Sequence, residues 1–406
     1  MHFKQKLAYT ALGGLLAFMG QLSPNISKMA MAQINAEGRI EKPVFRNGVD
    51  ANYWLYLATS KYDSADWSDV AWKKSEQKWY AGSEEINLFD FLHKKGVNAF
   101  RVRLWVNEDG PHGLKYATEI AHAAHKSGLK PYLVIFLSDR WADFTKQPRP
   151  PAWTELDPEA LKQTVRDYCG EVVQHFQNEG IKIDMYEIGN ETDLGICGAF
   201  PPSIQSVSDT ERIKAWSESA EIIKSAIAGV KSADPNGKIM LHIAMTWVYD
   251  FALGYFGFMS QHGVEFDYIG LSYYPSSPAM KEMRTIKAID SFVSKLYNQF
   301  KRPIIIAEYA FPHTADFTHA LFKDWNHPVY GYNPTLEGQR LMLSTFLDWA
   351  RKHQHIYGAY YWSPEWYVPA NSPIESGWGP MCLFGSDGKV LPAIESFSKG
   401  ALSHVE

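Results

Sequence analysis

Met185-Tyr186-Glu187-Ile188-Gly189-Asn190-Glu191 and Ile304-Ile305-Ile306-Ala307-Glu308-Tyr309 are the two stretches on which the fold turns. Each is a short apolar run bounded by turn or polar residues, and each delivers a glutamate at or just past its end. Near-continuous apolar runs of this length suit parallel strands covered on both faces. Three runs of the same kind precede them, Phe45 to Val49, Phe100 to Trp105 and Pro131 to Leu137. Two lie between them, Ile239 to Ala244 and Tyr268 to Tyr274, and one follows, Ala359 to Trp362. With Met185 to Ile188 and Ile304 to Tyr309 the count reaches eight.

Amphipathic helical patterns separate many of these runs: Leu114 to Ser127, Pro158 to Glu179, Asp209 to Val230 and Leu336 to His353. Asp157 and Pro158 fit the N-cap and first position of the second helix. Eight alternations point to an α/β chain closed as a (β/α)8 TIM barrel, one domain with long βα loops. An open doubly wound sheet would want a glycine-rich first turn for phosphate, and none follows Val49. Two stretches, Ala51 to Glu85 and Phe311 to Glu337, are too long for plain turns. In a barrel both emerge on the C-terminal face, where loops build active sites.

The first 32 residues are set apart from the fold. Lys4 and Lys6 precede an apolar stretch from Ala8 to Met19, and Ala30-Met31-Ala32 has the small-residue pattern of a cleavage site. The expectation is a signal peptide over 1–32, a barrel domain over 33–406, and an exported protein, extracellular or periplasmic, without stable membrane insertion. A net charge of -5 and a pI near 6.3 argue against a strongly cationic nucleic-acid binder. A monomer is expected. Cys169, Cys197 and Cys382 read as buried small hydrophobes, with one optional disulfide. The informative excess is aromatic: 14 Trp, 22 Tyr and 22 Phe. Rings fill cores, but they also suit the flat C–H faces of sugars, so a polysaccharide or oligosaccharide is the expected partner.

Two carboxylates brought from distant strands across one pocket are the machinery of glycoside cleavage. Glu191 is read as the general acid/base and Glu308 as the nucleophile. A spacing of about 5–5.5 Å would mean retention of configuration and about 6.5–9.5 Å inversion. Glu187, the competing carboxylate on the same strand, is read as structural. Arg101 and Arg103 share side-chain parity; one could reach Glu308 while the other supports the barrel wall. Tyr273 or Tyr274 is a second candidate support. Asp50, Asp139, Trp141, Asn190, His242, Trp362 and Trp366 are candidate sugar-binding residues at strand ends, Trp362 as a stacking platform. His242 is also a satisfied core histidine by the plainer reading. His122 and His125 read as helix-surface residues. No metal motif stands out and no cofactor is expected. A Gly-x-Ser-x-Gly nucleophile elbow is missing.

At this point the chain resembles the arabinogalactan endo-β-1,4-galactanases, glycoside hydrolase family 53. The resemblance runs from about residue 44 to 398. It is carried by Gly48-Val49-Asp50, by VNAFRVRLW at 97–105, and by Ser138-Asp139-Arg140-Trp141-Ala142-Asp143 with Gln147 and Pro151-Ala152-Trp153. Ile188-Gly189-Asn190-Glu191, FDYIGLSYYP at 266–275, Ala307-Glu308-Tyr309 with Pro312, YWSPEW at 361–366, and Leu383-Phe384 with Asp387-Gly388 and Leu391-Pro392 complete it. It implies an endo-acting, retaining hydrolase of β-1,4-galactan side chains of pectin. Three cleft segments depart from the family pattern: Phe136-Leu137 stands for a His-Tyr pair, Leu194 to Gly198 for a Leu-Trp-Pro run, and Gly377 to Met381 for Trp-Glu-Asn-Gln. A changed hydroxyl-binding group can reorder sugar preference, so mannan, xylan or a related β-glycan stays open beside galactan, as does a non-catalytic carbohydrate-binding protein on the same scaffold.

Overall fold

The computed structural model describes residues 42–59, 62, 76–110, 112–317, 322–369 and 377–398. The expected signal peptide lies outside them. The described residues from Val44 onward form one compact unit. Among the described residues no helix is long and apolar enough to cross a membrane.

Eight parallel strands close into a barrel: Arg46–Asp50, Ala99–Leu104, Lys130–Ile135, Tyr186–Ile188, Ile239–Ile243, Tyr268–Tyr273, Ile304–Tyr309 and Ile356–Trp362. Each pairs with the next, and the eighth pairs back with the first, Asp50 lying opposite Trp362. This is the (β/α)8 architecture expected from the apolar runs. Helices Leu114–Lys126, Pro158–Asn178, Asp209–Ala233 and Leu336–Lys352 stand where their periodicity puts them. Asp157 caps the second of these, accepting from the backbone N–H of Glu159 and Ala160, and Ser208 with Glu211 closes a capping box on the third.

Two further helices lie beyond those read from the sequence. Tyr249–Gln261 carries apolar residues almost all round and so shows little amphipathic signal; Ile286–Phe300, opened by a Thr285 cap, is amphipathic and buries Ile289, Phe292, Val293 and Leu296. The stretch Ala51 to Glu85, expected as loop, contains the short helix Trp54–Ala58 and a strand, Trp79–Ala81, that turns through Gly82 to pair with Glu84–Ile86.

Strand alternation sorts side chains between the barrel axis and the helix layer. Ala99, Tyr132, Val134, Met185, Met240, Ile305, Ala307 and Tyr360 fill the lower interior. The same parity carried upward points Asp50, Arg101, Arg103, Glu187, His242 and Ser272 to the axis, and all six are buried. Strict alternation from Ile305 and Ala307 would turn Glu308 out to the helices. A register shift intervenes: Leu271 lies opposite Ile306, but Ser272 lies opposite Glu308. A bulge of this kind adds one residue to a strand and re-aims the next side chain, and here it swings Glu308 inward.

The floor is tight at Gly48, where an added Cβ would sit 2.1 Å from Cδ1 of the Tyr360 ring, itself packed edge-on against Tyr132. Gly48→Ala is expected to cost about 1–3 kcal/mol through overpacking, read as a lower urea midpoint with an unchanged slope. A wild-type midpoint would mean that the floor yields.

Candidate active site

Arg101 stands at the centre of the barrel mouth and is fully buried. A guanidinium has five N–H donors in a fixed fork, and all five are used. Nη1 donates to Asp50 Oδ2 at 2.7 Å and to Glu308 Oε1 at 2.8 Å. Nη2 donates to Glu187 Oε1 and to Asn190 Oδ1, both at 2.7 Å. Nε donates to Glu187 Oε2 at 3.2 Å. Burial works against the charge on Glu187, but Arg101 and then His242 outweigh it and hold its carboxyl down at about 2. Glu187 is thus a permanent anion, the structural role read for it, in the middle of the polar cluster.

Arg103 holds Asp50 from the next position up, Nη2 to Oδ1 at 2.7 Å. Its guanidinium lies 4.8 Å from the Trp362 ring centre, 4.9 Å from that of Tyr53 and 5.2 Å from that of Trp141, a cation held on aromatic faces. Of the two roles set out for the arginines, Arg101 reaches Glu308 and Arg103 braces the wall.

Glu308 receives a second bond, from the Tyr274 hydroxyl to Oε2 at 2.6 Å. Burial and the neighbouring charges of Glu308 and Glu191 push the Tyr274 phenol well up, which keeps it a neutral donor. Tyr273, the other candidate, turns away: its hydroxyl donates to the Arg284 carbonyl and its ring stacks on Phe346. Odd parity puts it in the helix layer, so it is withdrawn from the sugar-facing set.

Glu191 arrives by a sharp turn. Gly189 has φ +74°, and a Cβ there would lie 2.4 Å from Thr192 Cγ2. Glu191 itself has φ +47°, a left-handed conformation uncommon for a residue with a Cβ. Gln147 pins the turn, donating from Nε2 to the carbonyls of Asn190 (2.8 Å) and Glu191 (3.2 Å), while Asn190 Nδ2 donates to the Ala142 carbonyl. Burial, then the charges of Glu308, Asp143 and Asp193, push the Glu191 carboxyl well above its ordinary range, and the bond from Ser272 offsets this only in part. Among the described residues no lysine or arginine bonds to it. One oxygen of Glu191, one of Glu308 and a ring nitrogen of His242 lie within 4.8 Å of one another. Both nitrogens of His242 are already in hydrogen bonds, as are both oxygens of Glu308, so few lone pairs are left to close round an ion.

The rest of the mouth is aromatic. Trp362 packs edge-on to Trp378 with centroids 4.4 Å apart and to Trp141 at 6.0 Å, and Trp366 lies against Tyr53 at 4.2 Å. Trp141 is half-buried, its Nε1 donating to Asp143. Asp139 sits on the rim, engaged with Arg140. Asp50, Arg101, Arg103, Asn190 and His242 lie beneath the surface, bonded to protein, so their placement is that of supports to the glutamates and rings. Ser272, Gln147, Asp193 and Trp378 were not singled out as site residues. Ser272 shares parity with Tyr274 on one strand, the signal that could have found it. His122 is exposed on its helix, bonded to Glu179, and all three cysteines are buried and free.

A (β/α)8 barrel whose mouth opposes a proton-holding glutamate to a charge-supported one, among indole rings, defines a glycoside hydrolase. The chain belongs to glycosyl hydrolase family 53, whose family model matches residues 62–397. It is 30% identical to an uncharacterized protein of Niallia circulans over 80% of this chain and 89% of that one. It is 27% identical to the arabinogalactan endo-β-1,4-galactanase of Thermothelomyces thermophilus over 83% and 99%. The family 53 catalytic domain of Ignisphaera aggregans superposes with a TM-score of 0.71 at 25% identity, covering 87% and 95%.

Removing Arg101 strands three carboxylates. Arg101→Met is expected to cost about 3–5 kcal/mol, the usual penalty for breaking a buried ion pair, in chemical denaturation, together with activity. Loss of activity at wild-type stability would contradict the central bracing role.

Glu365 is buried below Tyr53, whose backbone N–H it accepts. Burial, and then the Asp50 charge, push its carboxyl up to about 8. In the unfolded chain a Glu ionises near ~4.3. Between these values the native state binds the extra proton, so stability falls as pH rises through that window. Glu365→Gln is expected to flatten that decline in urea titrations from pH ~5 to ~8; an unchanged slope would assign it to other groups.

Proposed function

We propose that the protein is an exported, endo-acting, retaining hydrolase of β-1,4-galactan, working by double displacement with Glu308 as nucleophile and Glu191 as acid/base. The observation that carries the mechanism is the approach of the two carboxylates to within 4.8 Å. An oxygen of each lying this close to one of the other supports the narrower, retaining geometry over the wider spacing that seats a water between acid and base. The substrate rests on the galactanase relatives, and export on residues 1–32.

In the first step Glu308, oriented by Arg101 and Tyr274, attacks the anomeric carbon while Glu191 gives its proton to the departing glycosidic oxygen. The ester then removes the negative charge of Glu308, one of the influences holding the Glu191 proton. Glu191, relieved of that repulsion, is a stronger acid and stays ionised; its carboxylate takes a proton from water as that water attacks the anomeric carbon, which breaks the ester bond and releases Glu308 as a carboxylate. Trp362 offers the ring face on which the sugar packs. Phe136, buried between Trp105 and Trp141, puts an apolar group under the groove wall, and this favours testing other β-glycans beside galactan.

Product release from galactan, mannan, xylan and cellulose, with Glu308→Ala as control, tests the reading. Galacto-oligosaccharides from galactan alone are expected; products from another glycan would keep the mechanism and move the substrate, and sugar binding without turnover on any of them would favour the binding-protein alternative. Glu191→Ala should slow cleavage of galactan by ~10²–10⁴ and that of an activated aryl galactoside far less. Equal losses would remove Glu191 as the acid.

A further inference from the structure

The double displacement as described has no task for His242 and Ser272, yet these two join Glu191 to the buried Glu187. His242 Nδ1 lies 2.8 Å from Glu187 Oε1, His242 Nε2 lies 2.9 Å from Ser272 Oγ, and Ser272 Oγ donates to Glu191 Oε1 at 2.6 Å. Glu187 is an ionised carboxylate, so Nδ1 must carry a hydrogen. Ser272 has a single hydroxyl hydrogen to share between two neighbours.

If His242 is neutral, Nε2 is bare. The serine hydrogen then satisfies either Nε2 or Glu191 Oε1. In the first case the 2.6 Å contact survives only if the Glu191 proton sits on Oε1 and points at Ser272, away from any glycosidic oxygen. In the second, Nε2 and Oγ face each other lone pair to lone pair. If His242 carries both ring hydrogens, Nε2–H donates to Oγ, the hydroxyl donates to Oε1, and the proton of Glu191 has only Oε2 to occupy. Among the described residues Oε2 has no protein partner.

We propose that His242 is an imidazolium in the resting enzyme and that, through Ser272, it fixes the acid proton of Glu191 on Oε2, the oxygen left for the substrate. The inference rests on Glu191 as acid/base. Charge supports it independently. Glu187, Glu191 and Asp193 face His242 from the fourth strand and the turn after it, Arg101 from the second, Glu308 from the seventh, and Ser272, uncharged, from the sixth. With Glu191 protonated, the anions Asp50, Glu187 and Glu308 outnumber the cations Arg101 and Arg103 by one, and ionisation of Asp193 adds a further negative charge. An imidazolium makes up the shortfall left by the arginines. His242 and Ser272 are positioning residues, which act on the acid and do not touch sugar. With Nε2 bare, the Ser272 hydrogen turns to Nε2 and the idle arrangement with the proton on Oε1 takes over.

The test is nitrogen NMR of the full-length protein labelled with ¹⁵N-histidine, recorded at the pH of maximal turnover, with His242→Gln identifying the resonances. Both ring nitrogens of His242 should be protonated there. A bare Nε2 at that optimum overturns the proposal. Ser272→Ala should lower kcat on galactan about 10- to 100-fold, part of the ~10²–10⁴ of general acid catalysis, with KM nearly unchanged. An aryl galactoside with a dinitrophenolate leaving group should be little affected, and Ser272→Thr should restore the rate. Equal loss on both substrates would also overturn the relay. Failure of the acid/base reading itself is separate, since it shows as equal losses on both substrates in Glu191→Ala, whatever the state of His242.

Discussion

Everything at the mouth of the barrel depends on one buried cation. Arg101 has no water to turn to, so each of its donors must find an acceptor within the protein, and each does: Asp50 from the first strand, Glu187 and Asn190 from the fourth strand and its following turn, Glu308 from the seventh. A buried guanidinium without these anions would be prohibitively costly, and the anions without it equally so. The cluster therefore ties three distant strands together at the level where the chemistry happens. It also explains why so many charged side chains lie where a barrel normally packs branched aliphatics.

The same cation puts Glu308 and Glu191 into different environments. Glu308 has Arg101 on one oxygen and Tyr274 on the other, so its charge is held in place. Glu191 lies across the cleft, buried, facing Glu308 and other carboxylates, with a serine hydroxyl as its support. Two identical side chains are given opposite electrostatic surroundings, the general route by which one site can run acid and nucleophile together. Asymmetric support requires asymmetric backbone. The left-handed turn at Glu191 and the bulge before Glu308 are the two local departures from regular strand geometry that aim the carboxylates at each other.

Much of this was legible in the chain itself. The strands announce themselves as apolar runs because both their faces are covered, and the closed count of eight follows from their number. Glu191 and Glu308 stand out because a carboxylate at the end of such a run has no packing reason to be there. Orientation was harder to read. Alternation alone would send Glu308 outward with Ile306, and nothing in Ile-Ile-Ile-Ala-Glu-Tyr marks the extra residue that turns it in. The same difficulty left Tyr273 and Tyr274 as equal candidates until their parity against the sixth strand was fixed. Ser272 carries no compositional signal, and the division of labour between Arg101 and Arg103 depends on which acceptors lie across the barrel, a matter of closure that no local pattern encodes. Tyr249–Gln261 escaped notice for the opposite reason, being apolar on too many sides to show a period.

The account stands on Glu191 and Glu308 working across one sugar from a short distance, and stereochemistry reports that directly. Proton NMR of the first sugar released from β-1,4-galactan, recorded before mutarotation, distinguishes the outcomes. The account predicts that the new reducing end appears as the β anomer and drifts to equilibrium. An α anomer formed first would mean a single displacement by water, and would contradict the assignment of Glu308 as nucleophile.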